Sequence, residues 1–181
     1  MSQRSLYTGS FLVIAVLAQA AIALSQLPES SVTVLAHGPA GLRIEGKSGG
    51  VSVNEDASAL IFKVPIALID TGIGLRNRHL RELLEAETFP DAILRVQRSQ
   101  LAFPKEHEPV DGTAKGDLML HGQSRPVDVH YHAERNDGGI TRVRGSMQLD
   151  LRDFDLKSPS YLGLTVAPQV EVDVELAMDG T

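Results

Sequence analysis

The 181-residue chain contains no cysteine and no tryptophan, and aromatic residues make up only 4% of it. Without cysteine there is no disulfide, no thiol nucleophile, no thiolate-bound zinc and no lipid-modified N-terminal cysteine. So few aromatics argue against a stacking platform for single-stranded nucleic acid. Positive charge is also in deficit. The 17 Lys and Arg against 23 Asp and Glu leave a formal net charge of -6, which disfavours nucleic acid and provides no polybasic membrane patch. Nucleophile elbow, phosphate-cradling glycine loop, dinucleotide fingerprint and zinc-protease helix are all missing. Two acids on different strands could still meet in space, but nothing in the chain selects such a pair, so the expectation is a non-enzyme without a cofactor.

What is present is apolar material for one core, at 43% of residues, with 22% charged residues arguing against disorder. Residues 1–23 read as an export leader. Arg4 supplies a sparse positive region, Phe11 to Ala18 an apolar stretch, and Ala21-Ile22-Ala23 a small-x-small cleavage site, with Ala18-Gln19-Ala20 as a second candidate. The apolar stretch falls short of the ~20 residues of a comfortable membrane span. A cleaved signal peptide and a periplasmic product are therefore expected, with an uncleaved anchor as the alternative, and residues 24–181 form a single domain.

The segment Leu68–Pro90 organises that domain. Asp70-Thr71-Gly72 signals a turn or cap, and Leu75, His79, Leu80, Leu83 and Leu84 then recur at helical spacing. The spacing predicts a short helix around residues 74–87, closed off by Pro90. Nearly everything else alternates with period two. Short strands are expected at Ser31–Val34, Leu42–Ile44 and Val51–Val53, then a longer one over Ala59–Ile69 with Leu60, Phe62, Val64, Ile66 and Leu68 on one face. Pro65 suits an edge or a bulge. Further strands surround Leu94–Val96, a hairpin turning at His121-Gly122, a second hairpin at Asn136-Asp137-Gly138-Gly139, and the regular run Val170–Met178. About eight antiparallel strands, each with one apolar face, are best satisfied by closing the sheet on itself. The fold class expected is all-β: one extended antiparallel barrel with an inserted helix lying over a barrel end or seam.

Such a barrel would point Phe62, Val64, Leu118, Leu120, Val129, Val143, Met147, Leu149, Val172 and Val174 inward, with Leu80 of the helix facing them. Gly145 falls on the same inward face. These positions describe either a channel for an apolar chain or an ordinary filled core. His130, His132 and Asp128 share the opposite face, where a third metal ligand is not marked, so a wet strand face is expected and no metal. His79 is either a head-group contact or a half-buried histidine held by the fold, and Arg76 is placed to pair with Asp70 at the turn.

Four landmarks in order give a resemblance. Ile69-Asp70-Thr71-Gly72 with Arg76-Asn77-Arg78-His79-Leu80 and Phe89-Pro90 resembles the central signature of the YceI-like family. So do Gly116–Gly122 with Arg125-Pro126-Val127, and Asp153-Phe154 followed by the closing valine strand. The match spans about Ser31 to Met178. It departs at Asn77, where the family usually has aspartate, at Leu83-Leu84, usually more aromatic, and at Leu151-Arg152-Asp153-Phe154-Asp155, which keeps only Asp-Phe of the closing motif. The resemblance implies a lipocalin-like barrel enclosing an elongated apolar tunnel for polyisoprenoids, isoprenoid quinones or isoprenyl phosphates, in a carrier or storage role. Asp70, Arg76, His79 and Asp153 would then be head-group or helix-orienting contacts. A transient membrane contact and a homodimer are compatible with that role. The competing expectations are a filled barrel acting through its surface as an interaction or stress-response module, and a hydrolase or isomerase with His79, Asp70 and Asp153 converging on the tunnel.

Overall fold

Alternating apolar and polar residues produce nine principal strands in the computed structural model, which describes residues 25–26, 29–56, 58–158, 160–161 and 164–179. The expected leader lies outside the described residues. The strands are β1 (Ser31–His37), β2 (Arg43–Ser48), β3 (Ser52–Glu55), β4 (Ala59–Pro65), β5 (Asp91–Gln97), β6 (Val110–Leu120), β7 (Gln123–Arg135), β8 (Ile140–Asp150) and β9 (Gln169–Asp179). They form one antiparallel sheet in the order β2-β1-β9-β8-β7-β6-β5-β4-β3. Ser25–Gln26 adds a short pairing to Met178 and Asp179. Two of the turns follow their sequence signals. His121 and Gly122 both have positive φ (50° and 72°), as a two-residue primed hairpin requires, and the Asn136 side chain accepts from the amides of Gly138 and Ile140.

The curvature of the sheet follows from its connectivity. β2 and β3 sit at opposite ends of the strand order, yet only residues 49–51 join them. The four Cα steps from Ser48 to Ser52 reach at most roughly 14 Å, so the sheet has to curl until its two edges approach. The edges do not pair with each other, however, and the fully closed ladder expected from sequence gives way to a curled sheet with a seam. Asp70 stands in the seam. The Lys47 amide donates to the Asp70 carbonyl and the Asp70 amide to the Lys47 carbonyl, each at 2.8 Å. Gly46 makes this approach possible, since a Cβ there would lie 2.8 Å from Ile69 Cγ2.

β4 is shorter than expected and ends at Pro65, because the proline has no amide to continue a ladder. Residues 66–68 form a 3-10 turn instead, which buries Ile66 completely but leaves Leu68 57% exposed, not on the inward face. Helix α1 spans Gly74–Leu83 and stops well before Pro90. Its end is set by Glu85, which takes the left-handed conformation (φ 46°). The Ala86 amide then donates to the Arg81 carbonyl at 2.9 Å and the Glu85 amide to the Glu82 carbonyl at 3.2 Å, the paired bonds of a Schellman stop. Leu84 is buried, and the chain returns through Phe89, which meets His121 edge-on at 5.1 Å, to start β5. The helix therefore covers the seam from the end of the sheet where β1, β4 and β8 finish. This helix end faces away from the loops 98–109 and 136–139 at the far end.

Candidate functional site

The inward faces of the strands do not meet across the interior. They enclose a cavity of about 900 Å³, near the top of the ~300–1,000 Å³ range of small-molecule pockets. The apolar positions Phe62 and Val64 from β4, Leu118 and Leu120 from β6, Val129 from β7, Val143, Met147 and Leu149 from β8, Val172 and Val174 from β9, and Leu80 from α1 line it, whereas Leu68, expected on the face of Phe62 and Val64, does not. Gly145 lines it too. Contributions that the sequence did not single out come from Leu94 and Val96 of β5, Ala114 of β6 and the stretch Leu101–Pro104. Leu94, Val96 and Ala114 obey the same alternation, so that signal was available. Leu101–Pro104 carries no periodicity and reaches the cavity only because its backbone is tied down: the Ala102 amide donates to the Tyr131 hydroxyl at 2.8 Å, and Arg98 stacks on Phe103 at 4.3 Å.

Apolar side chains are left exposed where the cavity meets solvent. Leu42, Ile73 and Leu75 are 43%, 49% and 50% exposed at the helix end, and Phe103 is 48% exposed at the far end. The polar side chains of the lining are few and unevenly placed. Thr71, Arg76, His79 and Glu82 come from the seam and helix, while Tyr131 of β7 and Thr141 of β8 lie toward the far end. The helix end is thus the charged end of an otherwise apolar space.

The four expected head-group contacts separate into different roles. Arg76 and His79 reach the cavity lining. Asp70 does not; it organises the turn before the helix. Its Oδ1 accepts from the Asn77 Nδ2 at 2.7 Å and from the Gly72 amide at 2.9 Å, and these bonds, Asn77 first, hold its carboxyl below the usual carboxylate range. Asn77 Oδ1 in turn accepts from the Thr71 hydroxyl and amide at 2.6 and 2.8 Å. The expected Arg76–Asp70 pair is absent among the described residues; Asn77 bonds that carboxylate instead. Asp153 is misplaced by the sequence reading: it lies on the outer surface, where its backbone carbonyl accepts from Arg125 Nε at 2.8 Å. Of His79, Asp70 and Asp153, only His79 reaches the cavity, so these three do not converge there.

His130, His132 and Asp128 face solvent as expected. Each is engaged across the β6–β7 ladder, His130 with Thr113 at 2.9 Å, His132 with Asp111 at 2.8 Å and Asp128 with Lys115 at 2.9 Å.

Comparison with known proteins gives the same architecture. Solved structures with this fold include a polyisoprenoid binding domain from Saccharophagus degradans implicated in plant cell wall breakdown (TM-score 0.73, 17% identity, covering 88% of this chain and 99% of that one). BcnA of Burkholderia cenocepacia is similar at a TM-score of 0.66 and 18% identity, over 82% of this chain and 95% of its own. By sequence, a UPF0312 protein of Vibrio cholerae is 24% identical over 145 residues, spanning 76% of this chain and 70% of that protein. The family model for the YceI-like domain matches residues 26–178. With nearly the whole of the described chain inside that match, this protein belongs to the YceI-like domain family.

Proposed function

We infer that the chain binds an amphiphile with a long apolar tail, a polyisoprenoid or an isoprenoid quinone, and holds it in the barrel interior for transport or storage in the bacterial periplasm. The observation that carries this reading is the hollow, apolar cavity of about 900 Å³ whose ionisable helix side chains, Arg76, His79 and Glu82, lie at one end. Each CH₂ withdrawn from water contributes about 0.8 kcal/mol, so a tail along the interior supplies most of the affinity without conspicuous polar contacts. Arg76, His79 and Thr71 then meet the head group at the helix end. The polyisoprenoid binding domain with the same fold supports the ligand class. The leader-like residues 1–23 support export, and the exposed Leu42, Ile73 and Leu75 suit a transient contact with the membrane from which such a ligand is drawn.

The test is mild, detergent-free purification from a bacterial envelope, then solvent extraction and mass spectrometry against a denatured-protein control. N-terminal sequencing of the same sample reports cleavage. A stoichiometric isoprenoid or quinone is expected. An empty extract, together with failure to take up added polyisoprenoid, overturns the reading in favour of a barrel that acts through its surface.

A further inference from the structure

The barrel wall has a stretch in its side where two neighbouring strands are not paired. β7 and β8 are each fully paired on their outer flanks, β7 to β6 as far as Gln123↔Leu120 and β8 to β9 as far as Asp150↔Gln169. Their ladder with each other runs only from Arg135↔Thr141 to His130↔Ser146. Continued, the register would set Asp128 against Gln148 and Pro126 against Asp150, but the strands part. Pro126 gives a physical reason, since a proline has no amide to offer and is tolerated in a strand where pairing on one side is given up.

The parting is framed on every side. The 3-10 turn Leu151–Phe154 folds back toward β7 at the helix end, held by Arg125 Nε on the Asp153 carbonyl. Phe154 wedges in at 1% exposure. Over the unpaired stretch, on the outer surface, lies a second cavity of about 630 Å³. Its floor includes Val127, Met147 and Leu149, which the alternation of their strands turns inward, and Ser146, Met147 and Leu149 line the inner cavity as well. Met147 and Leu149 border both spaces where the ladder between the two strands is missing. The more compliant of these is Met147, unbranched with three rotatable bonds.

We propose that this unpaired stretch between β7 and β8 is a side port through which the apolar tail of the bound amphiphile enters and leaves, with Met147 as its gate. The proposal rests on the binding function above. The rim is acidic: Asp128, Asp150, Asp153, Glu171 and Asp173 surround it with Arg125 and His130, and Lys115, Arg152 and His37 pair with Asp128, Asp150 and Glu171. It admits uncharged chains and turns anionic head groups away, leaving these to the helix end with Arg76.

Because the chain has no cysteine, the port can be bridged specifically. The exported protein carrying Asp128→Cys and Gln148→Cys, both outward-facing, is closed with a short bis-maleimide, and uptake and release of fluorescently labelled geranylgeraniol are followed by stopped flow. The comparison is the same variant with each thiol singly capped. Bridging is expected to slow both rates at least tenfold while leaving the stoichiometry at equilibrium unchanged. In unbridged protein, Met147→Ala should speed exchange and Met147→Phe should slow it. Equal rates in bridged and capped protein overturn the port while leaving the binding function standing. Failure of the capped protein to take up the probe at all overturns both.

Discussion

Substituting Gly145 with phenylalanine separates occupancy of the cavity from integrity of the fold. Gly145 lies opposite Tyr131 and Val174 in the ladders of β8 with β7 and β9. A Cβ placed there would sit 3.8 Å from the His130 carbonyl, 3.9 Å from Val129 Cγ1 and 4.0 Å from Val174 Cβ, all ordinary contacts. The backbone need not move, and the ring must project into the cavity. It takes the space of about one five-carbon isoprenoid unit, worth ~0.8 kcal/mol per CH₂ or about 4 kcal/mol in all, which is roughly a thousandfold in Kd. Removing a glycine from a strand interior contributes ~0.5–1 kcal/mol in the other direction, to folding. The expected signature is therefore a Tm that holds or rises while retention of polyisoprenoid collapses. Thermal unfolding followed by circular dichroism and a fluorescence titration with a labelled prenyl alcohol read the two quantities on one sample. A folded Gly145→Phe protein that retains lipid like the original would refute the placement of the ligand along β8.

Asn77→Asp should destabilise by about 1–2 kcal/mol in chemical denaturation, despite restoring the family's usual residue, because it replaces the donor to Asp70 with a second carboxylate 2.7 Å away. Gly112→Ala should cost more than Gly145→Ala, since its Cβ would fall 2.6 Å from the Tyr131 ring; equal Tm shifts would show that Tyr131 is free to move. Tyr131→Phe should release the loop at Ala102, seen as faster amide exchange over residues 98–109 for a stability loss of ~1 kcal/mol. Acid should weaken the protein in a defined window. Asp56, held by the Ser58 amide, and Asp150, held by Arg152, both have folded pKa values of about 2, below the ordinary 3.8. Their contributions are complete above pH 3.8 and are lost as pH falls toward 2. Asp150→Asn should flatten the acid limb of a stability–pH curve, and an unchanged limb would contradict the assignment.

The inward face of the barrel was legible because strand periodicity is two: once Val143 or Leu118 is placed, its neighbours two residues away follow. That is why Phe62 through Val174 all reach the cavity. Whether those side chains meet or leave a space depends on the radius of the curled sheet, which periodicity does not encode. The head-group candidates fared less well, since a charged residue in a turn can serve the turn or the ligand. Asp70 and Asn77 spend their hydrogen bonds on the turn, and Asp153 points outward because the chain reverses in a 3-10 turn that carries no apolar period. Helix α1 was foreseen but drawn four residues too long: the left-handed stop falls on Glu85, a residue type that gives no warning of it. The parting of β7 from β8 had a trace in Pro126, inside a segment that otherwise reads as an uninterrupted hairpin.

The seam at Lys47 and Asp70 gives the barrel an adjustable girth. Along a fully paired strand, widening the wall means breaking a ladder of many bonds, whereas the seam is held by two backbone hydrogen bonds, each worth a net ~1 kcal/mol. The three-residue link between β2 and β3 limits how far the edges can separate, like the tongue of a belt. Parting the edges at the seam costs about 2 kcal/mol and leaves every strand pairing intact.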